Sequence, residues 1–146
     1  MPTSRTGRAV HLAALVSTGF TTISAAAGGI ALIWGSLDPA ADSVILPPPE
    51  YLQGSPFASY LVPGIALLLG IAATHGIAFV MLVRRSRWAI VVLAGVGYAC
   101  LVWIFVQMTI IPFSPLQALY FGIGCLEIGL ALLAAGVWPS RAASAR

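Results

Sequence analysis

The sequence predicts an all-α membrane protein, a single domain of four transmembrane helices in an up-down bundle with both termini on the same side. Three observations support this fold class. The chain is 60% hydrophobic and only 8% charged, whereas a soluble domain is roughly a quarter charged. Four apolar runs are each long enough to cross a bilayer, which takes about 20 helical residues. The arginines and the loop acids also separate onto opposite ends of such a bundle.

The first span is predicted over 9–34, after a short basic tail. Its start is similar to a secretory signal peptide, because Ser24-Ala25-Ala26-Ala27 resembles a cleavage site. The apolar character continues through Trp34, however, so we expect an uncleaved span. An outer loop follows over 35–55. Its Pro47-Pro48-Pro49 run favours extended polyproline geometry and disfavours helix. Its apolar residues are expected to lie on the membrane surface or on the end of the bundle.

The second span is predicted over 56–83, with Ser55 as the helix cap and Pro56 at the first helical position. Pro63 follows two turns later, which predicts a kink. The basic hairpin Arg84-Arg85-Ser86-Arg87 leads to the third span, 88–111, and a proline-containing turn leads to the fourth, 115–138. Tryptophans and tyrosines near the span ends indicate an aromatic belt at the membrane surfaces.

The charges predict the orientation. Cytoplasmic loops of membrane proteins carry an excess of Lys and Arg, and in a four-span layout every arginine falls on the side of the two termini. The loop acids Asp38, Asp42 and Glu50 fall on the other side. We therefore expect a bacterial inner membrane protein with both termini cytoplasmic. The bacterial source is inferred from arginine without any lysine or asparagine, a composition typical of GC-rich genomes. The arginines are Arg5, Arg8, Arg84, Arg85, Arg87, Arg141 and Arg146.

Small residues recur at helical spacing in every span, and such faces let membrane helices approach closely. We expect these faces to form the helix contacts. They are Ser17, Thr21, Ser24 and Gly28 in the first span; Ala66, Gly70 and Ala73 in the second; Gly95, Gly97 and Ala99 in the third; and Gly122, Cys125 and Gly129 in the fourth.

Glu127 is the only acid inside an apolar run. It lies about 16–18 Å from either end of the fourth span, near the membrane midplane. A charge there costs at least a few kcal/mol, so the carboxyl group must be protonated, paired or hydrated. Two interpretations stay open: a proton- or cation-binding carboxylate, or a neutral carboxyl group that fixes helix register by hydrogen bonding.

His75 on the second span is the candidate partner of Glu127. It lies roughly 13 Å from the arginine hairpin, within one helical turn of the depth of Glu127. A contact is feasible if the second and fourth helices touch; otherwise His75 bonds a backbone carbonyl. Four threonines are expected to complete a polar centre: Thr18, Thr21, Thr22 and Thr74.

Gln107 and Gln117 both lie near the outer turn, at similar shallow depth. One interpretation is that they form hydrogen bonds between helices. The other is that they mark the rim of a candidate site on the outer side, covered by the proline-rich loop.

No catalytic set, glycine-rich phosphate loop or metal-ligand spacing occurs, so we expect no enzyme activity, no metal and no cofactor. Cys100 and Cys125 lie in separate apolar runs without a C-x-x-C motif, as buried structural thiols. The bilayer is the expected environment, with a homo-oligomer or another membrane protein as partner and no nucleic acid.

Several short patterns carry a family resemblance, among them Val62-Pro63-Gly64, Arg84-Arg85-Ser86-Arg87-Trp88-Ala89 and Leu116-Gln117-x-Leu119-Tyr120-Phe121. They resemble a group of small uncharacterised four-span bacterial membrane proteins, loosely similar in layout to DoxX-type proteins. The resemblance implies the topology and no activity. Small multidrug transporters also have four spans and one key Glu, but theirs lies in the first span.

The expected function is therefore an accessory or interaction subunit of the membrane. The alternative is a small, oligomeric proton-coupled transporter or channel that uses Glu127. A weaker third hypothesis is a membrane-embedded redox or lipid-modifying enzyme with its site beneath the 35–55 loop.

Overall fold

The computed structural model describes residues 5–38 and 46–137. Within these residues the chain is helical, with no strand, and four helices are long and apolar enough to cross a membrane. The protein is thus a multi-pass helical membrane protein, as predicted. The helices are α1 (Arg5–Leu37), α2 (Leu61–Val83), α3 (Ala89–Ile110) and α4 (Pro115–Ala134), and a short 3-10 helix, Pro49–Leu52, lies in the loop.

α1 is longer than predicted at both ends. Its 33 residues correspond to about 50 Å of helix, whereas the hydrocarbon core of a bilayer is about 30 Å thick. The helix therefore extends beyond the apolar layer, which allows Arg5 and Arg8 to lie among polar headgroups rather than in hydrocarbon.

The predicted start of α2 is wrong. The helix begins at Leu61, because the Ser55 side chain is used in a turn: its hydroxyl donates to the Leu52 carbonyl at 2.8 Å and accepts from the Phe57 N–H. Pro63 consequently lies in the first turn of the helix, where its missing N–H costs nothing, and the kink predicted there has no cause. The irregularity of α2 is instead a π-helical segment, Leu67–Ala73.

The two ends of α4 have clear causes. Ser114 and Gln117 form a capping box at the start, where the Ser114 hydroxyl accepts from the Gln117 N–H and the Gln117 side chain accepts from the Ser114 N–H. The helix ends at Ala134, not at 138, because Gly136 adopts a positive φ of 73° and terminates it. Trp138, Arg141 and Arg146 lie outside the described residues.

The packing order defines the bundle. α1 packs against α2 and α4, and α3 also packs against both, so α2 and α4 occupy opposite corners. Near one end, Ala14 of α1 packs with Leu82 of α2, Leu93 of α3 and Leu130 of α4. Because these residues come from the start of α1, the end of α2, the start of α3 and the end of α4, the helices run alternately up and down. We call this the arginine end and the other the loop end.

Two glycine crossings hold the helices in pairs. A Cβ atom at Gly29 of α1 would lie 3.0 Å from the Gly64 carbonyl oxygen of α2, and one at Gly97 of α3 would lie 2.9 Å from the Gly124 carbonyl oxygen of α4. Only the absence of a side chain permits such approach. The bundle therefore consists of a tight α1–α2 pair and a tight α3–α4 pair.

The predicted contact faces are only partly right. Ser17 and Thr21 of α1 and Gly97 of α3 are buried as expected. The faces predicted on α2 and α4 are wrong, since Gly70, Ala73, Gly122 and Cys125 are exposed.

The described part of the loop lies on the bundle end. Leu46 packs against Gly35, and the Tyr60 hydroxyl donates to the Pro48 carbonyl at 2.8 Å. Burial, aided by the nearby Tyr51 and Glu50, raises the pKa of Tyr60, which further favours the neutral phenol that donates this bond. Pro48 is extended as predicted, but Pro49 starts a 3-10 helix, because proline suits a first helical position. Asp42, Val44 and Ile45 lie outside the described residues.

Candidate functional site: a buried histidine–glutamate pair and the cavity beside it

His75 and Glu127 meet in the centre of the bundle. The Nε2 atom of His75 lies 3.2 Å from Oε2 of Glu127, and both side chains are 0% exposed. Since α2 and α4 occupy opposite corners, the two side chains join helices that otherwise have little contact. The structure also shows the alternative bond expected for the histidine, because Nδ1 lies 2.8 Å from the Ile71 carbonyl oxygen.

These two bonds fix the proton count of the pair. A carbonyl oxygen only accepts, so Nδ1 of His75 carries a hydrogen and donates it to Ile71. The contact between Nε2 and Oε2 then requires one further proton, either on the carboxyl group or on the ring. With that proton the pair is neutral overall, as hydrogen-bonded neutral groups or as an ion pair. Without it, an unshared lone pair would face a buried carboxylate, which is costly in a core.

The π-helical segment of α2 directly precedes His75. A π turn contains an extra residue, which rotates the following part of a helix relative to the preceding part, and such turns are frequent at functional sites. Near its end, the Ile71 carbonyl accepts from His75 Nδ1 at 2.8 Å. The Thr74 hydroxyl donates to the Gly70 carbonyl at 2.6 Å and shares the same hydrogen with Ile71 at the longer distance of 3.1 Å. The side chains of the next turn thus satisfy carbonyl groups at the irregular junction.

Gly97 on α3 makes room for the carboxyl group. A Cβ atom at this position would lie 3.0 Å from Cβ of Glu127. The glycine crossing of α3 and α4 therefore lies beside the pair, and the depth at which Glu127 enters the core depends on it.

The threonines do not form the predicted polar centre. The hydroxyls of Thr18, Thr22 and Thr74 bond to carbonyl groups of their own helices at 2.6–2.7 Å. Among the described residues, two buried oxygens lack any partner: Thr21 Oγ1 and Glu127 Oε1. The carboxyl group therefore keeps one unused acceptor inside the bundle.

A cavity of about 150 Å³ lies between the two helix pairs in the half of the bundle nearer the loop end. It brings together Gln107 and Gln117, the two residues predicted at an outer rim. The cavity reaches deeper than a rim, to Ile71, one turn from His75. We name it the glutamine cavity and define it by Ser24, Ile71, Trp103, Gln107, Gln117 and Tyr120.

A second cavity of about 140 Å³ lies beneath the described part of the loop, between Pro47, Leu52 and Tyr60 on one side and α3 on the other. We name it the loop cavity. It shares Trp103, Gln107 and Ile111 with the glutamine cavity, so the two adjoin along α3.

Gln117 is a buried polar side chain with an unused hydrogen-bond donor. Its side chain is only 3% exposed, Oε1 accepts from the Ser114 N–H at 3.0 Å, and its amide nitrogen has no partner among the described residues. The spacing Ser114-x-x-Gln117 could have revealed the capping box from sequence, but not the unused donor. Trp103 lines both cavities. The sequence did not indicate this position, because an aromatic belt at the membrane surface was a sufficient explanation for a tryptophan there.

The two cysteines lie in different environments, and only Cys100 lines the glutamine cavity. Cys100 is buried and Cys125 exposed, and neither forms a disulfide, so the expectation of a buried thiol is wrong for Cys125. Over residues 5–38 and 46–137, no three His, Cys, Asp or Glu side chains cluster as metal ligands. Comparisons of the chain with protein-family models, curated proteins and solved structures found no match, so the resemblance to small four-span bacterial proteins stays a prediction.

Proposed function

We propose that the chain is an accessory or interaction subunit of a membrane assembly, with no enzymatic activity of its own. The observation that carries this proposal is the outward face of α4, formed by the exposed Ala118, Gly122 and Cys125 and the half-buried Gly129. Among the described residues, no other helix comes within 4 Å of a Cβ atom built at Gly122 or Gly129.

Glycine on such a face is unfavourable unless another helix covers it. It costs about 1 kcal/mol of helix stability relative to alanine. A position that only faces lipid could instead be filled by a large apolar side chain. Its benefit is close backbone approach between helices. Inside the chain that benefit is already seen at the Gly29–Gly64 and Gly97–Gly124 crossings. The outward face of α4 is therefore suited to a helix from another chain, either a second copy or a different membrane protein.

Cys125 allows a direct test, because it is exposed in the middle of this face while Cys100 is buried. A photocrosslinking amino acid placed at position 125 during synthesis is already in the interface when the partner binds, and on illumination of native membranes it is expected to yield one adduct of defined mass, which identifies a copy or another protein. Gly122→Leu should reduce the adduct roughly fivefold, since it blocks close approach. Gly95→Leu is the matched control and should change nothing, because this open glycine of α3 lies between the large exposed side chains of Val91 and Tyr98 and not on a face of small residues. No adduct, or equal yields in both variants, would refute the proposal.

The compartment belongs to the same proposal: the bacterial inner membrane, with both termini cytoplasmic. Its support is the sequence partition of seven arginines from the loop acids. Reporters fused to either terminus should both be active in the cytoplasm. Reporters on opposite faces of the membrane would contradict the even number of spans.

A second candidate function is proton-coupled transport by an oligomer, and the unpartnered Oε1 of Glu127 favours it. Because the pair binds one proton, loss of that proton would leave a charge in the core and favour a rearrangement of α2 against α4. Glu127→Gln keeps the shape but has no carboxyl proton to exchange, so it should abolish proton-driven flux in reconstituted vesicles. Flux that persists in this variant would eliminate the candidate.

A further inference from the structure

We propose that the glutamine cavity binds an apolar membrane molecule that carries a carbonyl group. The cavity lies between the two helix pairs, and its walls are mainly apolar, from Ala25 and Leu67 to Ile104. A concave, mainly apolar space with a few fixed polar groups is the usual character of a small-molecule site.

The unused amide of Gln117 determines the chemistry of the ligand. The capping box holds its Oε1 at the Ser114 N–H, so the amide cannot flip without losing that bond. Its NH₂ group therefore remains a donor without an acceptor in the described part of the protein. A buried unsatisfied donor costs about 1–3 kcal/mol, and a ligand carbonyl oxygen would remove this cost. A cationic group would not, because it offers no acceptor.

The two cavities together determine the shape of the ligand. Trp103 and Tyr120 provide aromatic walls beside Gln117, and the loop cavity continues from Trp103 and Gln107 toward Leu52. The carbonyl group would lie at Gln117 and an apolar chain would extend beneath the loop. An acyl ester of a membrane lipid and an isoprenoid quinone share this chemistry.

Gln117→Glu is the decisive variant. Glutamate keeps an acceptor for the Ser114 N–H and is a preferred residue at the third position of a helix. Its ionised carboxylate has no donor, whereas the neutral acid would still donate through its O–H. Binding to all variants is therefore compared at a pH of about 10, above the pKa that burial gives a glutamate. Gln53→Glu, at an exposed loop residue, adds the same charge away from the cavity and serves as the control. Ser24→Leu narrows the cavity without altering the capping box, and provides a second, independent variant.

The experiment is native mass spectrometry of the full chain in detergent with three probes: methyl oleate, decylubiquinone and octadecane. We expect at least one carbonyl probe to bind once per chain and octadecane to bind at least about tenfold more weakly, as loss of one buried hydrogen bond implies. Methyl oleate alone would indicate an ester lipid, and decylubiquinone alone a quinone.

Gln117→Glu and Ser24→Leu should both lose about tenfold in binding, while Gln53→Glu binds like the natural chain. Three results would overturn the proposal: no binding of either carbonyl probe, equal binding of octadecane, or unchanged binding in a folded Gln117→Glu or Ser24→Leu variant.

Discussion

Replacing His75 with leucine is expected to lower the free energy of unfolding by about 3 kcal/mol or more. The side chain is 0% exposed and bonds Glu127 at 3.2 Å, so the change leaves a carboxyl group without a partner in the core. Most of the cost comes from this stranded group and not from lost packing, because leucine and histidine are similar in size. Reversible unfolding in mixed micelles with increasing SDS, followed by circular dichroism, measures the change.

Two further variants show whether the cost comes from the pair. The double change His75→Leu with Glu127→Leu should recover much of the loss, since two apolar residues leave no polar group unsatisfied. Glu127→Gln should cost less than about 1.5 kcal/mol, because its amide can still donate to Nε2 of His75. If the two leucine changes instead destabilise the protein additively, the pair does not act as a unit.

Gly97→Ala is expected to destabilise the protein by about 2 kcal/mol through overpacking. The added methyl group would lie 2.9 Å from the Gly124 carbonyl oxygen and 3.0 Å from Cβ of Glu127. α3 and α4 would have to separate, which also draws the carboxyl group away from His75. The same unfolding measurement tests this expectation.

Gly95→Ala is the matched control on the same helix. Among the described residues nothing lies within 4 Å of a Cβ atom there, so only the higher helix propensity of alanine acts, and the expected change is a gain of up to about 1 kcal/mol. The two substitutions should therefore differ in sign. A similar effect at both positions would mean that the glycine crossing does not limit the approach of α3 and α4.

The central pair and the outward face of α4 lie on opposite sides of one helix. Glu127 faces the core, while Gly122 and Cys125 face away from it. A helix whose inner side is fixed by a hydrogen bond across the bundle presents a rigid outer surface, which reduces the ordering cost of binding a partner. The buried pair is thereby linked to the proposed interaction surface. The yield of the adduct at position 125 should therefore be compared with the stability of the His75 variants.

The four spans could be predicted from the sequence because each depends only on the length and hydropathy of its own segment. Crossing a membrane requires about 20 apolar residues, and each run supplies them independently of its neighbours; the predicted 88–111 differs from the observed Ala89–Ile110 by one residue at each end. The depth of His75 and Glu127 could also be predicted, since helical rise is constant. Their contact could therefore be expected, on the condition that side chains of α2 and α4 reach each other across the bundle.

The details of the site could not be predicted, because the sequence permits several local arrangements at the same residues. Ser55 could cap a helix or close a turn, and its bond to Leu52 decided for the turn. Gly95 and Gly97 are equally suited to a close approach, and only the rotation of α3 placed Gly97 at the crossing. The unused donor of Gln117 and the cavity beside it arise from the space between two helix pairs. By itself, then, the sequence determined the four spans and the depth of the polar residues, because hydropathy and helical rise act along one chain. Only the tertiary structure decided which faces meet and which polar atoms remain unpaired, because those depend on helix rotations that residue patterns specify weakly.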